Sequence, residues 1–218
     1  MYIQLNSQII RYEKTGEGTP VILIHGNKGD LHTFDGLAET MSKDHTVYAM
    51  DSRGHGESAT PKEYHYADMA NDVINLINAL DIEKPYLVGF SDGGIIAILV
   101  AIKASSLLSG IVCCGANLTP AGIHHKDLRD MKKDYKKTND PKTLLMLTEP
   151  DISTAQLKTI SVPAMIIAGE YDCIKEKETR KIAENIKNSK LEILPGENHF
   201  SYILGTDKLY KHIRGFLG

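Results

Sequence analysis

The sequence contains no tryptophan and only three cysteines, two of them adjacent. Cys113, Cys114 and Cys173 are odd in number and form no Cys-x-x-Cys pair. That excludes a disulfide framework and points to reduced thiols in a cytoplasmic protein. His124 and His125 are also adjacent, and neighbours on a helix face different ways. No metal and no cofactor is expected. No apolar run approaches the ~20 residues that span a bilayer. The first residues, MYIQLNSQII, lack a basic region followed by an apolar core, so no signal peptide is expected. Twenty-five Lys and Arg face 28 Asp and Glu, a net charge of −3. Without a basic excess, neither nucleic acid nor a membrane surface is the expected partner. Internal repeats and low-complexity tracts are missing too. A small-molecule substrate is what remains.

The 218 residues suffice for one domain with one substantial core. MYIQL and QIIRYEK flank Asn6-Ser7 and predict a hairpin. From residue 20 onward, strand and helix alternate. Apolar strands are predicted at 20–26, 45–51, 84–90, 109–116, 162–170 and 191–197. A helix should follow around Thr33 to Lys43. Met69, Val73, Leu76, Ile77 and Leu80 recur at helical spacing between Asp68 and Leu80. The segment after Ser91 is apolar on nearly all sides, which predicts a buried helix. Further helices are expected at 175–187 and 206–217. This alternation implies an α/β fold: a mostly parallel sheet with helices on both faces, joined by right-handed crossovers. Residues 119–152 break the pattern, being polar and lysine-rich. We read them as a small cap inserted into a core formed by 1–118 and 153–218, one domain overall.

GFSDGG, Gly89 to Gly94, lies where a strand should pass into a helix. Gly89-Phe90-Ser91-Asp92-Gly93 fits G-x-S-x-G in that context. The turn is sharp enough to strain the serine backbone, and side chains at 89 and 93 would collide across it. The hydroxyl is thereby lifted out of the sheet, above the positive end of the next helix. Serine needs a base to become a nucleophile, and the base needs an orienting acid. His199, in PGENHF, follows the last strand, and Asp172, in GEYD, follows the strand before it. Both sit at carboxyl ends of strands, where chemistry gathers in such sheets. Glu170, two residues before Asp172, is the alternative acid. Backbone N–H groups of Asn27 and Asp92 are the candidate oxyanion hole. The Asp92 side chain suits the first turn of a helix electrostatically, or else recognises a cationic substrate. His25 is expected to brace its loop.

Four stretches together resemble the α/β-hydrolase family: HGN at 25–27, DSRGHGES at 51–58, GFSDGG at 89–94, and GEYD with GENHF. The resemblance implies a sheet of about eight strands with a helical cap, and a serine hydrolase using Ser91, Asp172 and His199. It also implies that Asp51, Arg53 and Ser58 tie together a structural loop beside the site. GxSDGG is similar to that stretch of members that cleave amino-acid esters. The cap is short for the family. Within it, Leu128, Met131 and Tyr135 share a helical face, and Met131 and Tyr135 are the candidate substrate contacts. Lys132, Lys133, Lys136 and Lys137 alternate with Asp127, Asp130 and Asp134, so no anion site is assigned to them. Ser153 and Gln156 predict a capping box where the chain returns to the sheet.

The expected activity is hydrolysis of small carboxylic esters through a Ser91 acyl-enzyme. The same residues would also serve a carbon–carbon bond (diketone) hydrolase, a thioesterase, a perhydrolase, or a ligand-binding signalling protein with vestigial turnover.

Overall fold

The computed structural model describes residues 1–6 and 8–218. Eight strands form one sheet: β1 (Tyr2–Leu5), β2 (Gln8–Thr15), β3 (Thr19–Ile24), β4 (His45–Met50), β5 (Tyr86–Phe90), β6 (Gly110–Cys114), β7 (Ala164–Tyr171) and β8 (Ser189–Asn198). Their spatial order is β1-β2-β4-β3-β5-β6-β7-β8. β1 and β2 pair antiparallel, as does β2 with β4, and the other pairs are parallel. The hairpin is therefore present. Its predicted turn includes Ser7, which lies outside the described residues.

The strands are apolar because both faces are covered. Ile22 and Ile24 of β3 enter one core, with Ile111 and Cys113 of β6. Val21, Leu23, Val112 and Cys114 alternate into the other. The first core is closed by α2 (Tyr66–Ala79), α3 (Asp92–Ala104), α6 (Thr154–Leu157) and α7 (Glu176–Asn185). The second is closed by α1 (Asp35–Met41) and the C-terminal segment around α8 (Tyr210–Ile213). α3 buries residues around its whole circumference, as its unbroken apolar sequence requires.

Two helices differ from the sequence reading. The one expected over 206–217 is helical only at Tyr210–Ile213, between glycines at 205 and 215. Leu209, Ile213 and Leu217 still bury every fourth side chain there. The one expected from Thr33 opens instead as a 3-10 turn, Leu31–Phe34, capped by the Asp30 carboxylate, which accepts from His32 N.

Between β6 and β7 the chain forms α4 (His125–Thr138) and α5 (Pro141–Thr148) before α6. Asn139 ends α4 in the left-handed region (φ 51°). Asp140 then caps α5, with Pro141 in its first turn. The Ser153–Gln156 capping box is present. The ends of this excursion meet where Ile152 N donates to Leu118 O at 2.9 Å, and its first residues pack on the loop after β7, where Ile123 bridges Ile174 and His124 N donates to Cys173 O at 2.8 Å. Among the described residues, no helix is long and apolar enough to cross a membrane.

The chain runs from β3 outward to β4, then returns across β3 to β5. Strand order therefore reverses beside the carboxyl ends of β3 and β5, where α/β sheets form their binding crevices.

Candidate active site

Ser91 sits between β5 and α3 with φ 53° and ψ −115°, a left-handed conformation that costs a non-glycine residue energy. The turn is held on both sides: Ser91 N donates to Cys114 O at 2.7 Å, and Ser91 O accepts from Gly94 N at 2.9 Å. The flanking glycines are demanded by contact. A Cβ at Gly89 would stand 2.1 Å from Gly93 O, and one at Gly93 would stand 1.9 Å from Ile24 O.

Asp172 and His199 come from the ends of β7 and β8 and meet Ser91 above α3. His199 Nε2 lies 3.1 Å from Ser91 Oγ, and His199 Nδ1 lies 2.7 Å from Asp172 Oδ1. A carboxylate can only accept, so Nδ1 carries the proton and Nε2 is free to accept from the serine. Asp172 is itself fixed by Ile174 N, which donates to Oδ1 at 2.8 Å. The rings of Phe90 and Phe200 stand 4.8 and 4.9 Å from the imidazole and confine it. Asp172 and His199 are both buried. Glu170, the alternative acid, is exposed and accepts from Gly196 N at 2.8 Å. The structure thus brings together Ser91, His199 and Asp172, and leaves Glu170 outside.

Asn27 follows β3 directly opposite the serine turn. Among the described residues, neither Asn27 N nor Asp92 N donates to another protein group. The Asn27 side chain has a partner that sequence reasoning missed: Nδ2 donates to Asp92 Oδ2 at 2.8 Å and to Lys142 O at 3.2 Å. Asp92 is buried, and burial lifts its carboxyl to about 6 against the pull of the Asn27 amide. The buried phenol of Tyr66 faces this pair, without a hydrogen bond of good geometry.

The supporting loops carry two neutral histidines. His25 Nδ1 donates to Gly26 O at 2.7 Å, while Nε2 accepts from Ser52 N at 3.0 Å. This arrangement uses both nitrogens of the uncharged ring, and burial holds its pKa below the ordinary histidine range. The His55 ring lies 5.1 Å away, tilted by 57°, its pKa depressed to about 4 chiefly by burial. Asp51 accepts from Leu31 N and Glu57 N, and Ser58 Oγ donates to Asp51 O, so these two residues do tie the loop together. Arg53 instead forks onto Asp72 of α2, at 2.7 and 2.8 Å.

Over the serine lies a cavity of about 340 Å³. Met131 lines it, whereas Tyr135 is half-buried outside the lining. The stripe of α4 that faces the cavity is Asp127, Asp130, Met131 and Asp134, not the Leu128–Met131–Tyr135 face. With Asp92 and Glu149 the wall carries five carboxyl groups against one cation, Lys28. Lys28 Nζ is held 3.1 Å from both Asp134 and Asp140. The four cap lysines named above are exposed, and Lys133 Nζ pairs with Asp130 Oδ1 at 2.9 Å. The signal for this acidic face was present as aspartates spaced three and four apart, the helical-face spacing.

The chain is 29% identical over 247 aligned residues to the serine hydrolase BPHL of Homo sapiens, a match covering 99% of this chain and 85% of that protein. Among solved structures, the esterase EaEST from Exiguobacterium antarcticum superposes with a TM-score of 0.87 at 20% identity, covering 99% of this chain and 98% of that one. The enol-lactonase from Burkholderia xenovorans LB400 superposes with a TM-score of 0.83 at 20% identity, covering 100% and 99%. These two show a shared fold. A sequence profile for the alpha/beta hydrolase fold matches residues 19–141. By that match, an eight-stranded sheet and a Ser91–His199–Asp172 arrangement at its carboxyl edge, the chain belongs to the α/β-hydrolase family of enzymes.

Proposed function

We propose that the protein hydrolyses small carboxylic esters through a Ser91 acyl-enzyme, with a preference for substrates that carry a positive charge. The observation that carries the reading is the hydrogen-bonded run Ser91 Oγ–His199 Nε2 and His199 Nδ1–Asp172 Oδ1, at 3.1 and 2.7 Å, on the wall of a cavity. His199 takes the serine proton as Oγ attacks the ester carbonyl. Asp172 keeps the accepting tautomer in place and stabilises the imidazolium that forms. The negative charge on the carbonyl oxygen develops toward the free amides of Asn27 and Asp92, donors of a kind worth about 2.7–4 kcal/mol each. His199 then hands its proton to the leaving alcohol and activates the water that releases the acid.

Residues 119–152 act as a cap, and α4 presents the acidic stripe to the substrate. Five carboxyl groups around a small cavity favour a cationic ligand and disfavour an anionic one, an effect strengthened by the low dielectric of a partly enclosed site. A localisation in the cytoplasm fits the free thiols. The test is kcat/KM over matched ester pairs that differ only in a terminal ammonium against a methyl group. The reading requires Ser91-dependent turnover and a higher kcat/KM for the ammonium member. Equal values for both members would remove the charge preference, and turnover by Ser91→Ala would remove the mechanism.

A further inference from the structure

Cys173 stands directly beside the acid of the site, and its thiol has no role in ester hydrolysis. One ligand atom each from Asp172, Cys173 and His199 lies within 4.8 Å of the others. We propose that these three side chains form an inhibitory binding site for a zinc-class, thiol-seeking divalent cation.

A thiol, an imidazole and a carboxyl group are the donor types that zinc and its heavier congener cadmium select. A tetrahedral zinc ion, with Zn–S about 2.3 Å and Zn–N about 2.0–2.1 Å, sets its ligand atoms roughly 3.5 Å apart. Donors already within 4.8 Å reach that spacing by a modest side-chain rotation. The backbone beneath them is firm: Ile174 N donates to Asp172 Oδ1, His124 N donates to Cys173 O, and Ile123 bridges Ile174. Access is open, because Cys173 is only half-buried and lies on the wall of the cavity, which also leaves a fourth position for water. Cys113 and Cys114 are fully buried and do not compete.

The consequence for the reaction follows from the tautomer. The ion takes the lone pair of His199 Nδ1 in place of the hydrogen bond to Asp172. The imidazole proton then resides on Nε2, where it donates toward Ser91 Oγ instead of accepting from it. Burial, and next the Asp172 charge, raise the pKa of the Cys173 thiol, so the ion itself must displace its proton to solvent as the thiolate binds, while the imidazole stays neutral. The serine has lost its base, and acylation stops. This inhibitory part rests on the role proposed above for His199; the binding of the ion does not.

The experiment titrates the intact protein with Cd2+ and follows the ultraviolet thiolate-to-cadmium charge-transfer band, with Zn2+ inhibition of p-nitrophenyl acetate hydrolysis measured in parallel. Each variant is compared with its own rate in chelator. Wild-type protein should give a band that saturates at one equivalent, and chelator should restore the Zn2+-inhibited rate. Cys173→Ala should abolish the band and raise the Zn2+ midpoint by at least about tenfold, the scale on which loss of even a supporting group weakens a metal site. Cys173→Ser, which keeps the side-chain size, should do the same, with circular dichroism reporting that both variants are folded. An undiminished band in the folded variants, or the same Zn2+ midpoint in all three proteins, overturns the proposal. So does a Cys173-dependent band beside hydrolysis that Zn2+ leaves untouched. A Cys173-dependent band in a protein that cleaves no ester supports the ion site and overturns the catalytic reading instead.

Discussion

Asp172 Oδ1 meets His199 Nδ1 at 2.7 Å, while Glu170, two residues earlier on the same strand end, turns outward to Gly196 N. The strand's alternation does not separate them, since positions two apart share a face. A register shift in the β7–β8 pairing between Gly169 and Tyr171 breaks that alternation, and Asp172 N donates to Gly169 O at 3.2 Å just beyond it. Ser91→Ala and His199→Ala should each lower kcat by roughly 10³-fold or more, and Asp172→Asn by a similar order through the wrong imidazole tautomer. Glu170→Gln should stay within about twofold of wild type, as expected for an exposed group away from the reacting atoms. Single-turnover and steady-state rates on p-nitrophenyl acetate measure all four. A dead Glu170→Gln beside an active Asp172→Asn would reverse the assignment.

The serine turn is equally sensitive to one methyl group. Gly93→Ala would push its Cβ into the carbonyl of Ile24, and Gly89→Ala into that of Gly93. Both contacts are with backbone, which cannot step aside cheaply. Each variant should lose several kcal/mol of stability or fold with an inactive turn. Denaturant midpoints with activity on the folded fraction report which. A stable, fully active Gly93→Ala would show the turn to be looser than described.

Asp92 lines the cavity beside Ser91. Its carboxyl is raised by burial to about 6, so it is mostly ionised at pH 8 and mostly neutral at pH 5. The KM of a cationic ester should rise as pH falls through 6, and that of its neutral partner should rise less. Stability carries the opposite sign. The folded protein holds the Asp92 proton more tightly than the unfolded chain, so this group's contribution declines as pH rises from about 4 to 6. Asp92→Asn should therefore gain stability relative to wild type at pH 7 while losing the KM difference between the paired esters. Thermal unfolding at both pH values checks the first, and paired kinetics the second.

His55 sets the acid limit. Burial depresses its pKa to about 4, below that of the unfolded chain, so the folded state binds fewer protons in the interval between. Stability is then present above about pH 6.5 and lost as pH falls toward 4. His55→Gln should flatten this loss by about 3 kcal/mol between pH 7 and 4, the two-and-a-half-unit shift converted at 1.36 kcal/mol per unit. Urea midpoints across that range test it, and parallel curves for the two proteins would contradict it.

Chain length is a second substrate variable, beside charge. A cavity near 340 Å³ holds a short acyl group and leaves a long one in water. Each exposed CH₂ forfeits about 0.8 kcal/mol, so C2 to C6 esters should be cleaved better than C12 to C16. Met131→Ala should shift the preference toward longer chains, and Tyr135→Ala should not, because only Met131 lines the cavity. Measuring kcat/KM from acetate to palmitate decides it; an optimum at palmitate removes the small-pocket description.

Much of this was legible in the residues. The apolar runs at β3, β5, β6 and β7 could only be strands covered on both faces, and Ser91, Asp172 and His199 stood at predicted strand ends in a workable order. The strand order was not legible, because pairing between distant segments leaves no local mark. Nor was the orientation of α4. The Leu128–Met131–Tyr135 spacing marks an apolar face but not what it faces, because a helix lying on the surface with no fully buried residue has little apolar burial to fix its rotation. The Asn27–Asp92 contact joins residues 65 apart in sequence, and nothing near either one announces it. The last helix failed for a simpler reason: glycines at 205 and 215 shorten what the spacing of Leu209, Ile213 and Leu217 suggested.

The hydrogen bond from Ile152 N to Leu118 O, 2.9 Å long, ties together the two ends of the excursion that carries α4 and α5. Between those two residues the chain holds α4 and α5 with their acidic stripe, and none of the sheet's strands. Such a segment is a detachable part in the sense an engineer would use. Its aspartates reach the wall of the cavity from a stretch of chain separate from the turn that bears Ser91. The acidic stripe and the serine turn are thus separable parts of one chain.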